Sequence, residues 1–305
     1  MIMDAVLLQG IANGLSLGLC YALIAIGFTL IFGVLNAVNF AHSEVYMLGA
    51  FAGLVIIQAF APPFMAVVFL VAAVGAFLGF GLERIAFRPL RRARDEASLK
   101  SRALREATLM SSLAVGILVR ELAELRFGGD MQPIPSGAML NTPIAVGPVI
   151  LTTGDFYIFG MAAAMLLLLQ FLLYRTKIGL SIRALSDDLI GALYVGINTD
   201  RVIVWTFMIG SSFGALAGLM VGLYYGTIFP YMGFAPTLKA FIAMLMGGLN
   251  NIPGAVLCAL LIGLSESLAP EIMPTRWVDL IAYVFLLVTL IFFPAGIFGR
   301  KAERV

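Results

Sequence analysis

The sequence predicts an all-α integral membrane protein with about eight transmembrane elements, two of them broken or re-entrant. Three observations carry this expectation. Of 305 residues, 61% are hydrophobic and only 12% charged, against about 45–50% and about 25% in a soluble domain. The apolar residues gather into runs at 5–35, 45–60, 62–82, 108–119, 156–174, 202–226, 237–265 and 278–298. Most of the basic residues fall in three short segments outside those runs. Seventeen acids and nineteen bases cannot clothe so much apolar surface, so the bilayer is the expected solvent.

A helix needs about 20 apolar residues, at about 1.5 Å each, to cross the hydrocarbon. The first run exceeds that and is punctuated by Gly10, Gly14, Gly18, Gly27 and Gly33. No basic stretch precedes it, so it reads as a retained span and not a cleaved signal. The 108–119 run is short. It borrows Leu104 and the apolar faces around Leu122 and Leu125, with Arg120 and Glu121 snorkelling at the interface. The 237–265 run is interrupted by Gly247-Gly248-Leu249-Asn250-Asn251-Ile252-Pro253-Gly254, which breaks helices.

Basic residues set the sidedness. Segment 83–107 holds Arg84, Arg88, Arg91, Arg92, Arg94, Lys100, Arg102 and Arg105. Segment 175–201 holds Arg175, Lys177, Arg183 and Arg201, and the tail holds Arg300, Lys301 and Arg304. The positive-inside rule places all three in the cytoplasm. Residues 1–305 then form one transmembrane domain, with a cytoplasmic basic loop at 83–107, an external loop at 121–155 and a cytoplasmic loop at 175–201. A small hairpin is expected near Thr142–Thr153. Parity requires the 237–265 run to begin and end outside, as two short elements meeting at the Gly247–Gly254 break. Irregular backbone at membrane depth is tolerated only where protein or a water-filled cavity covers it, so that break points to a substrate path.

Enzymatic machinery is absent from the sequence. The single histidine, His42, excludes a two-histidine zinc site, and none of Lys100, Lys177, Lys239 and Lys301 follows a glycine as a phosphate loop requires. The expectation is a transport subunit and not an enzyme, with no cofactor on this chain. ATP and Mg, if used, belong to partner subunits. Cys20 and Cys258 sit inside apolar runs and read as packing residues. A net charge of +2 gives no nucleic-acid footprint.

Two constellations remain. Asn36, Asn39, His42, Ser43 and Glu44 fall between the first two apolar runs. Polar groups there either line a path or its gate, or form a turn with Asn39 or Ser43 capping the next helix. The second runs from Arg183 to Asn198. Gly191, Ala192 and Gly196 would permit close approach by a partner, while Asp187 and Asp188 suit a first helical turn. It reads equally as a docking helix or as a solvated loop.

Five motifs in order give the chain a resemblance to branched-chain amino-acid ABC permeases: GFTLIFGVLNAVNFAHSEVYMLGAF at 27–51, ERIAFRPL at 83–90, RALSDDLIGALYVGIN at 183–198, GGLNNIPGA at 247–255 and FFPAGIFG at 292–299. The chain departs from the family pattern at Ser43 and Asn250, where glycine is usual. The resemblance implies an ABC importer permease fold in the bacterial inner membrane. It also implies a second homologous permease subunit, two cytoplasmic ATPase subunits and a periplasmic substrate-binding protein. Arg183–Asn198 would be the ATPase-coupling loop, and Gly247, Gly248, Asn250, Asn251 and Gly254 would join the first constellation along the path or gate. Branched-chain amino acids are the implied cargo, with urea, short amides and aromatic acids as the range of related members. The rival readings are a secondary transporter or channel, for which the intramembrane acids Glu44 and Glu266 are few, and a structural membrane scaffold.

Overall fold

The computed structural model describes residues 2–92, 102–135 and 142–299. Arg94 and Lys100 of the basic loop and the basic residues of the tail lie outside this range. In chain order the helices are α1 (Ile2–Leu35), α2 (His42–Phe60), α3 (Phe64–Leu82, continued by a π turn at Glu83–Phe87), α4 (Arg88–Arg92) and α5 (Arg102–Phe127). Three short strands follow: β1 (Gln132–Pro133), β2 (Pro143–Val146) and β3 (Val149–Thr152). Then come α6 (Thr153–Arg175), α7 (Lys177–Asp187), α8 (Leu189–Tyr194), α9 (Thr199–Tyr225), strand β4 (Thr227–Ile228), α10 (Phe234–Gly247), α11 (Ile252–Leu268) and α12 (Val278–Phe292). Among the described residues, seven helical spans are long and apolar enough to cross a membrane, and α10 is apolar but shorter. The expected hairpin is present as β2 paired antiparallel with β3, turning at Gly147, while β1 pairs with β4.

α1 and α9 form the middle of the bundle. Their most apolar stretches are 78% and 72% buried, against 11% for α12, whose side chains are left for lipid. Two rows of glycine at four-residue spacing let these helices sit so close. On α9 the row is Gly210, Gly214, Gly218 and Gly222. A Cβ on Gly218 would lie 1.9 Å from the Tyr46 carbonyl oxygen of α2, and one on Gly210 3.0 Å from the Gly27 carbonyl oxygen of α1. On α1 the row is Gly10, Gly14 and Gly18, facing Leu268, Leu264 and Leu260 of α11. Lipid tails are as apolar as leucine, so burial drives membrane helices together weakly and close backbone approach carries the packing.

Caps fix several helix starts. Thr152 and Asp155 make a capping box at α6, and Ser16 on α1 donates a hydrogen bond to Asp155, tying α1 to α6. Thr176 caps α7, Asp188 caps α8, Asn198 caps α9 and Asn251 caps α11.

Two buried glutamates are paired with basic side chains. Glu83, fully buried, accepts from Arg91, which also lies 3.4 Å from Asp200. Arg88 approaches the same Asp200 at 3.7 Å, so the start of the basic loop and the start of α9 meet at one end of the bundle. Lys239 on α10 donates to Glu266 on α11 at 2.9 Å and lies 2.8 Å from Asp279 on α12. The Tyr21 hydroxyl on α1 donates to the same Glu266 at 2.9 Å.

Candidate translocation site

The connections between α1 and α2, at 36–41, and between α10 and α11, at 248–251, have different local causes. α1 ends at Leu35 and Asn36 takes a left-handed φ of 52°, leaving its residue exposed. Residues 36–41 then run back along the bundle, so that α2 starts level with the interior of its neighbours. His42 packs between Gly27 of α1 and Gly214 of α9, and its ring centroid lies 4.8 Å from that of Phe28. Asn39 and His42 are 1% and 0% exposed, and their side-chain nitrogens and oxygen have no hydrogen-bond partner. Neither Asn39 nor Ser43 caps α2. The Ser43 hydroxyl lies 2.9 Å from the Phe40 carbonyl oxygen and 3.1 Å from Glu44 Oε1.

A cavity of about 170 Å³ opens beside this first turn of α2. Four elements line it: Phe28 from α1; Phe40, Ser43 and Glu44 at the start of α2; Leu113, Gly116, Ile117 and Arg120 from α5; and Phe234, Thr237, Leu238 and Phe241 from α10. It is apolar except at Ser43, Glu44, Arg120 and Thr237. Glu44 and Thr237 are buried, and the Thr237 hydroxyl has no hydrogen-bond partner. The Arg120 guanidinium lies 5.2 Å over the Tyr231 ring, and Tyr231 donates to Glu124 at 2.7 Å. That bond to a carboxylate raises the Tyr231 phenol above its usual range. Arg120, read from sequence as an interfacial snorkel, therefore faces the cavity. Thr237 and the phenyl groups of Phe234 and Phe241 were not singled out, because nothing in a lone apolar run says which residues face inward.

The second break lies elsewhere. Gly247, Gly248, Asn250, Asn251 and Gly254 do not line this cavity. Gly248 takes φ 103°, and a Cβ on Gly254 would meet the Gly247 carbonyl oxygen at 2.3 Å, so the turn between α10 and α11 is closed by backbone contact. Asn251 Nδ2 donates to the Phe298 carbonyl oxygen, and the Gly254 N–H donates to Asn251 Oδ1. Gly33 at the end of α1 faces Ser186 and Asn250, which brings this turn to the same end of the bundle as α7. Asn250 is exposed.

Arg183–Asn198 is two helices joined at Asp188, and this changes the reading of several residues. Asp187 closes α7, and only Asp188 stands at a helix start, accepting from the Ile190 and Gly191 N–H groups at 3.2 Å and 3.1 Å. A Cβ on Gly191 would lie 2.7 Å from the Asp188 carboxylate, so that glycine serves the cap. Gly196 turns the chain at φ 81°, Asn198 caps α9, and Ala192 is buried. The Arg183 guanidinium lies 4.7 Å over the Tyr174 ring. The surface offered outward is apolar: Ile190, Tyr194 and Val195 are 38%, 87% and 75% exposed.

Among the described residues, buried acids, a cavity with four polar side chains in an otherwise apolar wall and seven apolar spans define a multi-pass membrane protein. The family profile described as branched-chain amino acid transport system, permease component, matches residues 10–290, and the chain belongs to that family. The high-affinity branched-chain amino acid transport system permease protein LivH of Escherichia coli (strain K12) is 35% identical over 98% of this chain and 97% of its own length. BraD of Pseudomonas aeruginosa, with the same description, is 32% identical over 98% of each. The probable branched-chain amino acid transport permease protein LivH of Methanocaldococcus jannaschii is 27% identical over 93% of this chain and 90% of its own. The solved structure of PsaBC from Streptococcus pneumoniae in complex with Fab aligns over 97% of this chain at 16% identity and a TM-score of 0.43, a likeness too distant to carry an argument.

Proposed function

We propose that this chain is the membrane-spanning permease subunit of an ABC importer for branched-chain or related amino acids. The observation that supports this most is the family match across residues 10–290. A binding protein outside delivers the amino acid, a second homologous permease completes the path, and two cytoplasmic ATPases bind ATP and Mg and drive the cycle. The chain itself makes and breaks no covalent bond.

The path runs past Asn39, His42, Ser43 and Glu44 at the start of α2: Ser43 and Glu44 line the cavity, and the buried Asn39 amide just before them has no hydrogen-bond partner. The α10–α11 turn, with Gly247, Gly248, Asn250, Asn251 and Gly254, sits at the other side of α10, touching α1 and facing Ser186 of α7 across Gly33. A push on α7 and α8 therefore reaches the ends of α1, α10 and α11 together. α8 offers Ile190, Tyr194 and Val195 to a groove on the ATPase, as a helix docks by its apolar face.

Uptake by the reconstituted system tests the reading. Import should require ATP and persist when ion gradients are dissipated with ATP maintained. Uptake by this chain alone, driven by a sodium or proton gradient, would refute it.

A further inference from the structure

The cavity beside α2 carries opposite charges on separate helices. Glu44 on α2 is 6% exposed, and its hydrogen bond comes from the Ser43 hydroxyl next to it. Arg120 on α5 lies across the cavity wall, where its guanidinium stacks over the Tyr231 ring, Glu121 approaches at 3.9 Å and its Nε has no hydrogen-bond partner. Thr237 on α10, 5% exposed, holds a hydroxyl with no partner. A buried polar group without a hydrogen bond costs about 1–3 kcal/mol, so a ligand that bonds to the Thr237 hydroxyl gains by it. A lone cation would leave Arg120 unmet, and a lone anion would leave Glu44 unmet. A neutral amide or urea could hydrogen-bond to either group but would leave both charges without a counter-charge. The rest of the wall is phenyl and aliphatic. Its volume of about 170 Å³ exceeds the roughly 150 Å³ that suffices for benzene in an apolar protein cavity. Gly116 keeps that space open: a Cβ there would make only ordinary contacts, at 3.4 Å to Ala41 and 3.6 Å to Glu44, and a longer side chain would grow towards α2.

We propose that this cavity is an intramembrane resting site for a zwitterionic α-amino acid with an aliphatic side chain. The ammonium lies on Glu44, the carboxylate lies on Arg120 and receives the Thr237 hydroxyl, and the side chain lies among Phe28, Leu113 and Ile117. This rests on the import reading above and narrows its substrate class: a free amino acid balances both charges, whereas urea and amides balance neither.

The test separates the two claims. Thr237→Cys is placed in a chain with Cys20→Ala and Cys258→Ala, assembled with its transport partners but without binding protein, and its reaction with a small thiol reagent is timed. L-Leucine should slow the reaction. Isoamylamine, which lacks the carboxylate, and 4-methylpentanoate, which lacks the ammonium, should not. Glu44→Gln or Arg120→Gln should weaken protection by leucine about ten- to hundredfold, read as the leucine concentration that halves each variant's own unprotected rate. If Thr237→Cys does not assemble, Gly116→Cys serves, since its Cβ fits without displacement. Equal protection by the amine or the acid alone would overturn the zwitterion assignment. No protection by leucine, in a complex that still imports it, would overturn the site and leave the transport reading standing. A wild-type complex that imports no amino acid would overturn the transport reading itself, and the labelling result would still decide what the cavity holds.

Discussion

Replacing Gly218 with alanine tests whether the glycine row on α9 sets the helix spacing. The added Cβ would stand 1.9 Å from the Tyr46 carbonyl oxygen and 2.8 Å from its carbon, both backbone atoms that no rotamer change can move. To reach even 3.0 Å, α2 and α9 must separate by about 1.1 Å, and His42 and Ala50 on the same face move with them. Overpacking of this kind costs about 1–3 kcal/mol. Gly81→Ala is the internal control, because a Cβ there meets nothing within 4 Å. That change should be neutral or stabilising, since alanine is favoured over glycine in a helix by about 1 kcal/mol. Cys20 and Cys258 are 3% and 0% exposed, so a thiol-reactive dye reports unfolding of the detergent-solubilised protein directly. Gly218→Ala should melt clearly below wild type, and Gly81→Ala at or above it. If both melt together, α2 and α9 are not held at van der Waals distance by this row, and the packing argument fails.

Three further outcomes are expected. Lys239→Met should cost about 3–5 kcal/mol by stranding Glu266, whose side chain is 2% exposed, and the double change Lys239→Met with Glu266→Leu should recover most of it in the same dye assay. Gly248→Leu, at φ 103° with a Cβ position 3.0 Å from Gly299, should lower both melting temperature and uptake, and an unchanged melt would show the turn to be adaptable. Tyr194→Ser with Val195→Ser should leave the melt unchanged but lose co-purifying ATPase; retained ATPase at full stoichiometry would remove α8 as the lever.

The seven long apolar spans and the β2–β3 hairpin were legible because each has a local cause: apolar length or turn residues. The cavity was only half legible. Ser43 and Glu44 stood out as polar residues in apolar surroundings, but Thr237 and Arg120 join them through packing of α5 and α10, which no spacing reveals. Gly191, Ala192 and Gly196 were read as permitting a partner's approach and Asp187 as suiting a first helical turn; in the fold Asp187 closes α7, Gly191 serves the cap of α8, Ala192 fills the core and Gly196 turns the chain. The apolar surface that this segment leaves exposed is Ile190, Tyr194 and Val195, whose apolar character had been absorbed into the motif without a direction. Glu266 looked like an acid near the end of a run, and its pairing with Lys239 needed the fold to bring α10 back along α11.

The clasp of Lys239, Glu266 and Asp279 bears on how the chain enters the bilayer. At 14 residues α10 is about 21 Å long, short of the roughly 30 Å hydrocarbon, and it carries a lysine. Such a segment is a poor substrate for insertion on its own. Paired with α11, which supplies the counter-charge, it becomes an apolar hairpin with its charge cancelled within, and Asp279 follows on α12 to close the group. Biogenesis of the C-terminal half should therefore be concerted: the translocon releases α10 into lipid only once α11 has been synthesised. A ribosome stalled between the two would hold α10 in the channel, where a crosslinker would find it.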